Sequence, residues 1–315
     1  MENIKIKNIS IPLCAVGTWG WGKGYNGGKT VFGSVPTIKE LSECYNILKD
    51  NGLFIFDTAA VYGMGASEKI LGDFSENDDK IIISSKFTPN KFQSASAMEK
   101  SLNKSLKRLK RNYIDIYWLH NSINLERNLK TAIKLLKNGK IKNIGLSNCT
   151  LDEIKYAQKV LSDNGYHLFG VQNHYSLLHR YSEQTGIIKW CKENNTKFFA
   201  YMVLEQGVLA GKTEFSRFSR RGKSYDKNKI KKVYPLIQIL KATGKKYNIS
   251  VAQTVIAHAV SKNIIPIIGA RKPSQAKELI KVTGIKLTDN EISEIEKIAK
   301  SIKIEVGASW EKKMK

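Results

Sequence analysis

The chain has 315 residues, of which 42% are hydrophobic, enough for two average domains or for one α/β barrel. No apolar run approaches the roughly 18 residues of a membrane span, and the first nine residues do not resemble a signal peptide. Four cysteines without a CxxC spacing indicate reduced thiols in a cytoplasmic protein.

Lysine and arginine exceed aspartate and glutamate by 24. The lysines are spread along the chain, and the densest runs (100–111 and 223–232) carry little aromatic interleaving. This pattern argues against a specific nucleic-acid partner. Weak, salt-sensitive adhesion to polyanions remains the expectation for so basic a protein.

The first half of the chain predicts an alternation of strands and helices. A short β segment over 4–11 precedes a core strand over 13–19 and a loop rich in glycine and tryptophan. The elements predicted next are a helix over 37–50, a strand ending at Asp57, a helix near 67–74, a strand ending at Lys86, an amphipathic helix over 94–111 with a serine N-cap, a strand ending at His120 and a helix over 125–137.

The second half continues the alternation, apart from residues 203–227, which show no clear periodicity. The predicted strands cover 141–147, 169–175, 197–201 and 264–269. The predicted helices cover 151–163, 181–194, 229–246, 250–261, 274–283 and 288–302, the last opened by a capping box of Thr288 and Glu291.

Eight core strands separated by helices predict a closed (β/α)8 barrel, the TIM barrel, because strands joined through helices pair in parallel. We interpret the chain as a single domain with its core at about 11–285 and a carboxy-terminal helix and tail over 286–315. An open doubly wound sheet is the alternative. No Gly-x-Gly-x-x-Gly follows the first strand, which counts against it.

Polar residues end three successive strands of this barrel: Asp57, Lys86 and His120. Tyr62 lies in the turn after the first of them. Because the carboxyl ends of barrel strands meet at one mouth, these four side chains should converge. An ammonium beside the phenol is expected to lower the pKa of Tyr62, and the aspartate would hold the lysine charged. Such a site could protonate an oxyanion as it forms, as carbonyl reduction requires.

The segment 56–63 (FDTAAVYG) resembles the signature of the aldo-keto reductase family, and the resemblance extends over nearly the whole chain. Lys86 and the Leu119-His120 pair complete the family's catalytic tetrad in the right order. The resemblance implies reduction of an aldehyde or ketone to the alcohol, with hydride from a nicotinamide and a proton from Tyr62. His120 would hydrogen-bond the substrate oxygen, and Asp57 and Lys86 would tune Tyr62.

The resemblance also covers the segments that bind NADPH in this family. They are 144–148 (IGLSN), 171–175 (VQNHY), 204–212 (LEQGVLAGK) and 269–278 (GARKPSQAKE). Ser147, Asn148 and Gln172 would bind the nicotinamide amide, and Tyr201 would stack on its ring. The remaining cofactor residues that the resemblance implies are Thr18, Trp19, Met202, Leu204, Gln206, Lys212, Arg221, Gly269, Arg271, Gln275 and Glu278.

NADPH is favoured over NADH because the guanidinium of Arg271 suits a 2′-phosphate. Lys272 and one of Arg217, Arg220 or Arg221 could add to this contact, although all four could equally be solvent-facing charges. Two departures from the family pattern are Met202-Val203 in place of Ser-Pro, and Leu279 in place of an asparagine at the adenine.

No metal is predicted, because His167, His174, His179 and His258 form no ligand-spaced cluster. Trp19 and Trp21 are predicted to line the substrate pocket and to favour an apolar or flat carbonyl, with packing of the loop as the alternative. The expected partner is a small-molecule carbonyl, and the chain is expected to be a monomer or homo-oligomer. The alternative function is a redox-sensing partner protein with little turnover, since the potassium-channel beta subunits share these cofactor loops.

Overall fold

Eight parallel strands close into a barrel in the computed structural model, which describes residues 5–6, 9–10, 12–213, 225–282 and 284–306. A short antiparallel hairpin of β1 (Lys5–Ile6) and β2 (Ile9–Ser10) precedes the barrel. The barrel strands are β3 (Ala15–Gly17), β4 (Ile55–Asp57), β5 (Ile82–Phe87), β6 (Ile114–Leu119), β7 (Ile141–Ser147), β8 (Gly170–His174), β9 (Lys197–Tyr201) and β10 (Ile265–Gly269). They pair in chain order, and β10 closes the ring against β3, which confirms the predicted TIM barrel.

Helices connect the strands on the outside of the barrel. Within the described residues they are α1 (Gly28–Phe32), α2 (Ile38–Asp50), α3 (Ala66–Ser75), α4 (Ala97–Leu109), α5 (Leu125–Lys137), α6 (Leu151–Ser162), α7 (Tyr181–Gln184), α8 (Ile187–Glu193), α9 (Lys227–Lys246), α10 (Val251–Ser261), α11 (Pro273–Ile280) and α12 (Asp289–Ser301). Short 3-10 turns cover Tyr62–Gly65 and Glu205–Ala210. None of the described helices is long and apolar enough to cross a membrane.

Local sequence signals explain some of the helix ends. The predicted capping box of α12 is confirmed, because Thr288 accepts from the backbone N–H of Glu291. The predicted helix over 94–111 is shorter than expected: α4 begins at Ala97, and its N-cap Ser96 makes no capping hydrogen bond. The predicted helix over 181–194 was wrong as one element, because Gly186, in the left-handed conformation with φ 79°, separates α7 from α8.

Apolar side chains pack on both faces of the barrel strands. The larger layer lies between barrel and helices, and a smaller one fills the barrel interior with side chains that include Ile82, Ile116, Trp118 and Phe199. A parallel sheet buried on both faces requires such near-continuous apolar strands. Buried polar side chains are the exception on these strands, and several of them lie near the carboxyl end of the barrel.

Candidate active site

Four predicted side chains meet at the carboxyl end of neighbouring strands. Asp57 ends β4, Lys86 lies near the end of β5, His120 follows β6, and Tyr62 begins the 3-10 turn after β4. Lys86 Nζ forms an ion pair with Asp57 and lies 5.0 Å from the centroid of the Tyr62 ring. The Tyr62 and His120 rings are 6.1 Å apart in an edge-on arrangement. The structure thus brings together all four residues that the sequence singled out.

The Lys86 ammonium is fully buried and is held from two sides. It pairs with the Asp57 carboxylate and donates to the Thr58 carbonyl oxygen at 2.7 Å. Burial alone would lower the pKa of Lys86, but attraction to Asp57 and interaction with Tyr62 outweigh it and raise the pKa. Lys86 therefore carries a fixed positive charge beside the Tyr62 phenol.

The pKa of Tyr62 is raised, contrary to the expectation from the sequence. Enclosure of the phenol by protein, which disfavours the phenolate, is the largest cause. Lys86 acts in the predicted direction and lowers the pKa, but burial outweighs it and Asp57 adds to the increase. The phenol is accordingly protonated at neutral pH, as a proton donor must be.

His120 is neutral at this site. Burial, followed by repulsion from Lys86, lowers its pKa to about 3. Its Nδ1 lies 2.9 Å from the hydroxyl of Thr88, a residue that the sequence analysis missed. When this hydroxyl donates to Nδ1, the single proton of the neutral ring resides on Nε2, where it is available to an acceptor.

We expect the pH profile of kcat/KM to show no histidine titration between about pH 5 and pH 8. A group with a pKa of about 3 is protonated in about 1% of molecules at pH 5, so activity loss through His120 would begin only below that range. The measurement is the pH–rate profile of carbonyl reduction by the wild type, His120→Gln and, as control, His167→Gln at an exposed position. An acid limb near pH 6.5 that His120→Gln alone removes would contradict the neutral ring.

A second polar group lies next to the tetrad, at the ends of β7, β8 and β9. The Tyr201 hydroxyl donates to the Asn148 side-chain oxygen, and the Asn148 amide donates to the His120 carbonyl oxygen at 2.9 Å and to Ser147 Oγ at 3.2 Å. Gln172 Nε2 donates to Asp57 Oδ1 at 3.2 Å. These amide and hydroxyl groups provide both donors and acceptors, which is the set that a carboxamide such as that of nicotinamide needs.

The loop after β9 has an unusual backbone. Met202, Glu205 and Gln206 all have positive φ angles, of 62°, 44° and 57°. A buried carboxylate holds this loop: Glu205 bonds to His174 Nε2 at 2.8 Å, and the Ser176 and Tyr225 hydroxyls donate to it. Burial raises the pKa of Glu205, but these partners outweigh it and lower the pKa overall.

This arrangement connects the predicted pyrophosphate loop to the predicted nicotinamide site. The His174 ring stacks against Tyr201 with centroids 5.5 Å apart. The sequence analysis missed Glu205, although a carboxylate inside a glycine-containing loop was the available signal. The predicted Arg221, with Arg217 and Arg220, lies outside the described residues. Leu204, Gln206 and Lys212 lie in this loop, and the cofactor contacts that the resemblance implies for them stay predictions.

The predicted adenosine segment follows β10. Arg271 donates to the backbone oxygen and the hydroxyl of Ser34 at 3.1 and 3.0 Å, and its guanidinium lies 5.0 Å from the Phe32 ring centroid. Gln275 accepts from the Arg271 backbone N–H at 2.9 Å, and Glu278 accepts from the Ser250 hydroxyl. Gly269 ends β10 beside them. Leu279, the departure from the family pattern, is buried in the layer between barrel and helices.

The two tryptophans of the first loop have different positions. Trp19 stacks on Tyr62 with centroids 5.6 Å apart and meets Phe32 edge-on, so it lies beside the tetrad, and its place in the substrate pocket stays a prediction. Trp21 is fully buried against Phe56, and its indole N–H donates to the Ala270 oxygen at 2.8 Å. Its predicted place in the substrate pocket was wrong, and packing of the loop, the alternative, is what the structure shows.

The predicted cofactor residue Thr18 is also fully buried. Its backbone N–H and its hydroxyl both donate to the Asp57 carbonyl oxygen, at 2.9 and 3.1 Å. Thr18 therefore fixes the backbone that carries Asp57. Among the described residues, no group of three or more His, Cys, Asp or Glu side chains is arranged to hold a metal ion.

Comparison with known proteins shows which family this chain is similar to. The model of the Aldo/keto reductase family matches residues 14–300. Norsolorinic acid reductase A of Aspergillus parasiticus is 28% identical over 305 residues, which cover 90% of this chain and 76% of that protein. The aldo-keto reductase yakc [NADP(+)] of Schizosaccharomyces pombe is 26% identical over 332 residues, covering 97% and 93%.

Among solved structures, a glycerol dehydrogenase from Gluconobacter oxydans superimposes with a TM-score of 0.82 at 24% identity, covering 98% of this chain and 99% of that one. This likeness shows the fold. The family match extends over nearly the whole barrel and includes all four residues of the tetrad. The chain therefore belongs to the aldo/keto reductase family and is an NAD(P)H-dependent oxidoreductase that acts on carbonyl groups.

Proposed function

We propose that the chain reduces a small aldehyde or ketone to the alcohol with NADPH, and that Tyr62 donates the proton. The observation that carries this proposal is the state of Tyr62. Its pKa is raised, so the phenol is loaded with a proton, and it lies beside the fixed Lys86 charge that can stabilise the phenolate once the proton has left.

Each residue of the tetrad has its own role in the proposed reaction. The substrate oxygen is bound between the Tyr62 hydroxyl and the neutral His120 ring. The reduced nicotinamide, when bound, supplies the hydride to the carbonyl carbon. Tyr62 transfers its proton to the oxygen as negative charge develops there, and the phenolate left behind is paired with Lys86 until it regains a proton from water. Asp57 keeps Lys86 in place throughout.

Ser147, Asn148, Gln172 and Tyr201 would hold the nicotinamide end of the cofactor. The hydrogen-bonded set at the ends of β7 to β9 offers the amide its donors and acceptors, and the Tyr201 ring offers a flat surface. The loop that Glu205 holds would bind the pyrophosphate through its backbone N–H groups and Lys212. Thr18 supports this site indirectly, through the backbone of Asp57.

NADPH is the proposed cofactor because Arg271 and Lys272 lie together at the adenosine end. A guanidinium binds a phosphate with two parallel hydrogen bonds. Both terminal nitrogens of Arg271 donate to Ser34, so a bound 2′-phosphate would share or replace these hydrogen bonds. The relative from S. pombe, which carries NADP(+) in its name, supports the same choice. An apolar or flat carbonyl is the proposed substrate, since the Trp19 ring stacks on Tyr62 and is itself packed edge-on against Phe32.

The first experiment is a cofactor and substrate test on the purified protein. We expect NADPH oxidation with a panel of aliphatic and aromatic aldehydes, quinones and pyridoxal, with slower turnover on NADH. Arg271→Ala should weaken NADPH binding about 10-fold, because a charged hydrogen-bond partner of the 2′-phosphate is lost, and should leave NADH binding unchanged.

Lys241→Ala, at an exposed position on α9, removes one positive charge elsewhere and is the matched control. Equal loss of NADPH affinity in both variants would mean that only net charge matters, and would contradict the role of Arg271. Tight NADPH binding without turnover on any carbonyl would refute the reductase proposal in favour of a redox-sensing partner protein.

A further inference from the structure

We propose that Ser84 and Trp118 are positioning residues for the Asp57–Lys86 pair, which they hold through a hydrogen-bond chain that begins in the centre of the barrel. The Trp118 indole N–H donates to Ser84 Oγ at 2.7 Å, and Ser84 Oγ donates to Asp57 Oδ1 at 2.7 Å. The other carboxylate oxygen, Oδ2, pairs with Lys86. All four side chains are buried. The functional part of this proposal rests on the proposed reductase activity.

The direction of this chain is fixed at both ends. An indole N–H can only donate, and a carboxylate paired with an ammonium only accepts. The single Ser84 proton must therefore be directed at Asp57, while a lone pair of Ser84 Oγ takes the indole proton. No second arrangement of the protons satisfies these groups, so the Ser84 hydroxyl is locked as a donor to Asp57.

The Trp118 indole, where the hydrogen-bond chain begins, is closely packed in the barrel interior. Two glycines on the next strands face it: a Cβ at Gly145 would lie 2.3 Å from Trp118 Cε3, and one at Gly170 would lie 3.0 Å from Cη2. The indole also meets Phe199 edge-on, with centroids 5.2 Å apart. The tight packing leaves the indole one orientation, with its N–H directed at Ser84.

The hydrogen-bond chain helps to fix the orientation of the Asp57 carboxylate. Oδ1 accepts from Ser84 and from Gln172, and Oδ2 accepts from Lys86, so the carboxylate has donors on both oxygens and cannot rotate freely. Lys86 is thereby held at its distance from the Tyr62 ring. Without the Ser84 hydroxyl, the carboxylate is less compensated and less fixed, and proton transfer from Tyr62 is expected to slow while substrate binding is unchanged.

The hydrogen-bond chain is tested by NMR, through the indole N–H resonances of the five tryptophans. Trp118→Phe assigns the Trp118 resonance. Ser84→Ala is expected to shift that resonance and speed its exchange with solvent, and Ser84→Thr, which keeps a hydroxyl, is expected to retain it. Asp57→Asn should shift it as well, because the neutral amide is a weaker acceptor for the Ser84 proton than a carboxylate and can itself donate to Ser84 Oγ. These spectra do not depend on turnover. An unmoved Trp118 resonance in Ser84→Ala would overturn the chain.

The positioning role is tested by kinetics on the same variants. Ser84→Ala is expected to lower kcat about 10-fold, with KM and NADPH affinity nearly unchanged, because Ser84 is buried and its hydroxyl bonds to Asp57 and Trp118. Trp118→Phe should have a smaller effect, since Ser84 can still donate to Asp57, and the double variant should be no slower than Ser84→Ala.

A wild-type kcat in a correctly folded Ser84→Ala, or additive losses in the double variant, would refute the positioning role. Should Ser84→Ala fail to fold, Asp57→Asn still tests the hydrogen-bond chain, because an unmoved Trp118 resonance in that variant would overturn it. An inactive wild type would refute the reductase proposal, while the spectra would still decide whether the chain exists.

Discussion

Replacing Tyr62 by phenylalanine is expected to lower kcat for carbonyl reduction by about 100- to 10,000-fold, the usual contribution of a positioned acid. The substitution removes one oxygen and the proton it carries. His120 cannot replace the donor, because its neutral ring holds its one proton more tightly than an imidazolium would. NADPH affinity should change little, because the proposed cofactor contacts lie on other residues.

Phenylalanine is the informative substitution here because the ring of Tyr62 has its own contacts. It stacks on Trp19 at 5.6 Å and lies 5.0 Å below the Lys86 ammonium. Both contacts use the aromatic face, which phenylalanine keeps. The melting temperature should therefore stay close to that of the wild type, so that a loss of kcat reports the proton and not the fold.

The measurement is steady-state NADPH oxidation together with a cofactor titration, for Tyr62→Phe and for Tyr234→Phe. Tyr234 is an exposed tyrosine on α9, so its variant makes the same chemical change away from the mouth. Since the pKa of Tyr62 is raised, the phenol is protonated throughout the neutral range, and reduction should decline only as pH rises above the ordinary tyrosine value. Wild-type turnover in Tyr62→Phe would assign the proton to another group.

The tetrad was predictable because its members end neighbouring parallel strands. The register between neighbouring strands then determines which residues lie side by side: Asp57 is paired with Ser84, and Lys86 with Trp118. A sequence that marks the ends of its strands therefore also marks which polar side chains meet. The fold followed from the same alternation of buried strands and amphipathic helices.

The sign of the Tyr62 pKa shift was not predictable from the sequence. Two opposing effects act on the phenol, and the larger of them, burial, depends on how closely distant segments enclose the ring. The sequence shows that Lys86 is near but does not show the enclosure. The places of Trp19 and Trp21 pose the same difficulty. The backbone N–H of Trp21 donates to the Thr18 carbonyl oxygen in a turn, after which the Trp21 indole is buried while Trp19 stacks on Tyr62.

Partners that come from separate segments were also missed. Glu205 finds His174, Ser176 and Tyr225 only once the loops are folded, and Thr88 finds His120 in the same way. No spacing in the sequence links these residues. The sequence shows only that a polar side chain lies in a loop or strand that is otherwise apolar. It does not show which residue becomes its partner.

Replacing Lys86 by methionine is expected to abolish turnover and also to lower the free energy of unfolding by about 3–5 kcal/mol. The buried Asp57 carboxylate then keeps Ser84 and Gln172 as donors but loses its ammonium. An unpaired charge inside a protein is costly, and methionine fills the space without compensating it. Chemical denaturation at neutral pH is the measurement.

Lys69→Met provides the matched control. Lys69 forms an ion pair with Asp73 at 2.8 Å, but the lysine side chain is 67% exposed, so the change should stay within about 0.5 kcal/mol. The neutral double variant Asp57→Asn/Lys86→Met should recover part of the stability that Lys86→Met loses, because no buried charge remains, and yet stay inactive. A Lys86→Met variant as stable as the wild type would contradict the buried pair.

The pH dependence of this contribution follows from the raised pKa of Lys86. A group whose pKa is higher in the folded state than in the unfolded state stabilises the fold fully at pH values below its ordinary pKa, here 10.5. The contribution is lost as pH rises through the folded value. The stability gap between wild type and Lys86→Met should therefore be constant across the neutral range and shrink on the alkaline side only under strongly alkaline conditions. A gap that closes between about pH 7 and pH 9 would contradict the raised pKa of Lys86.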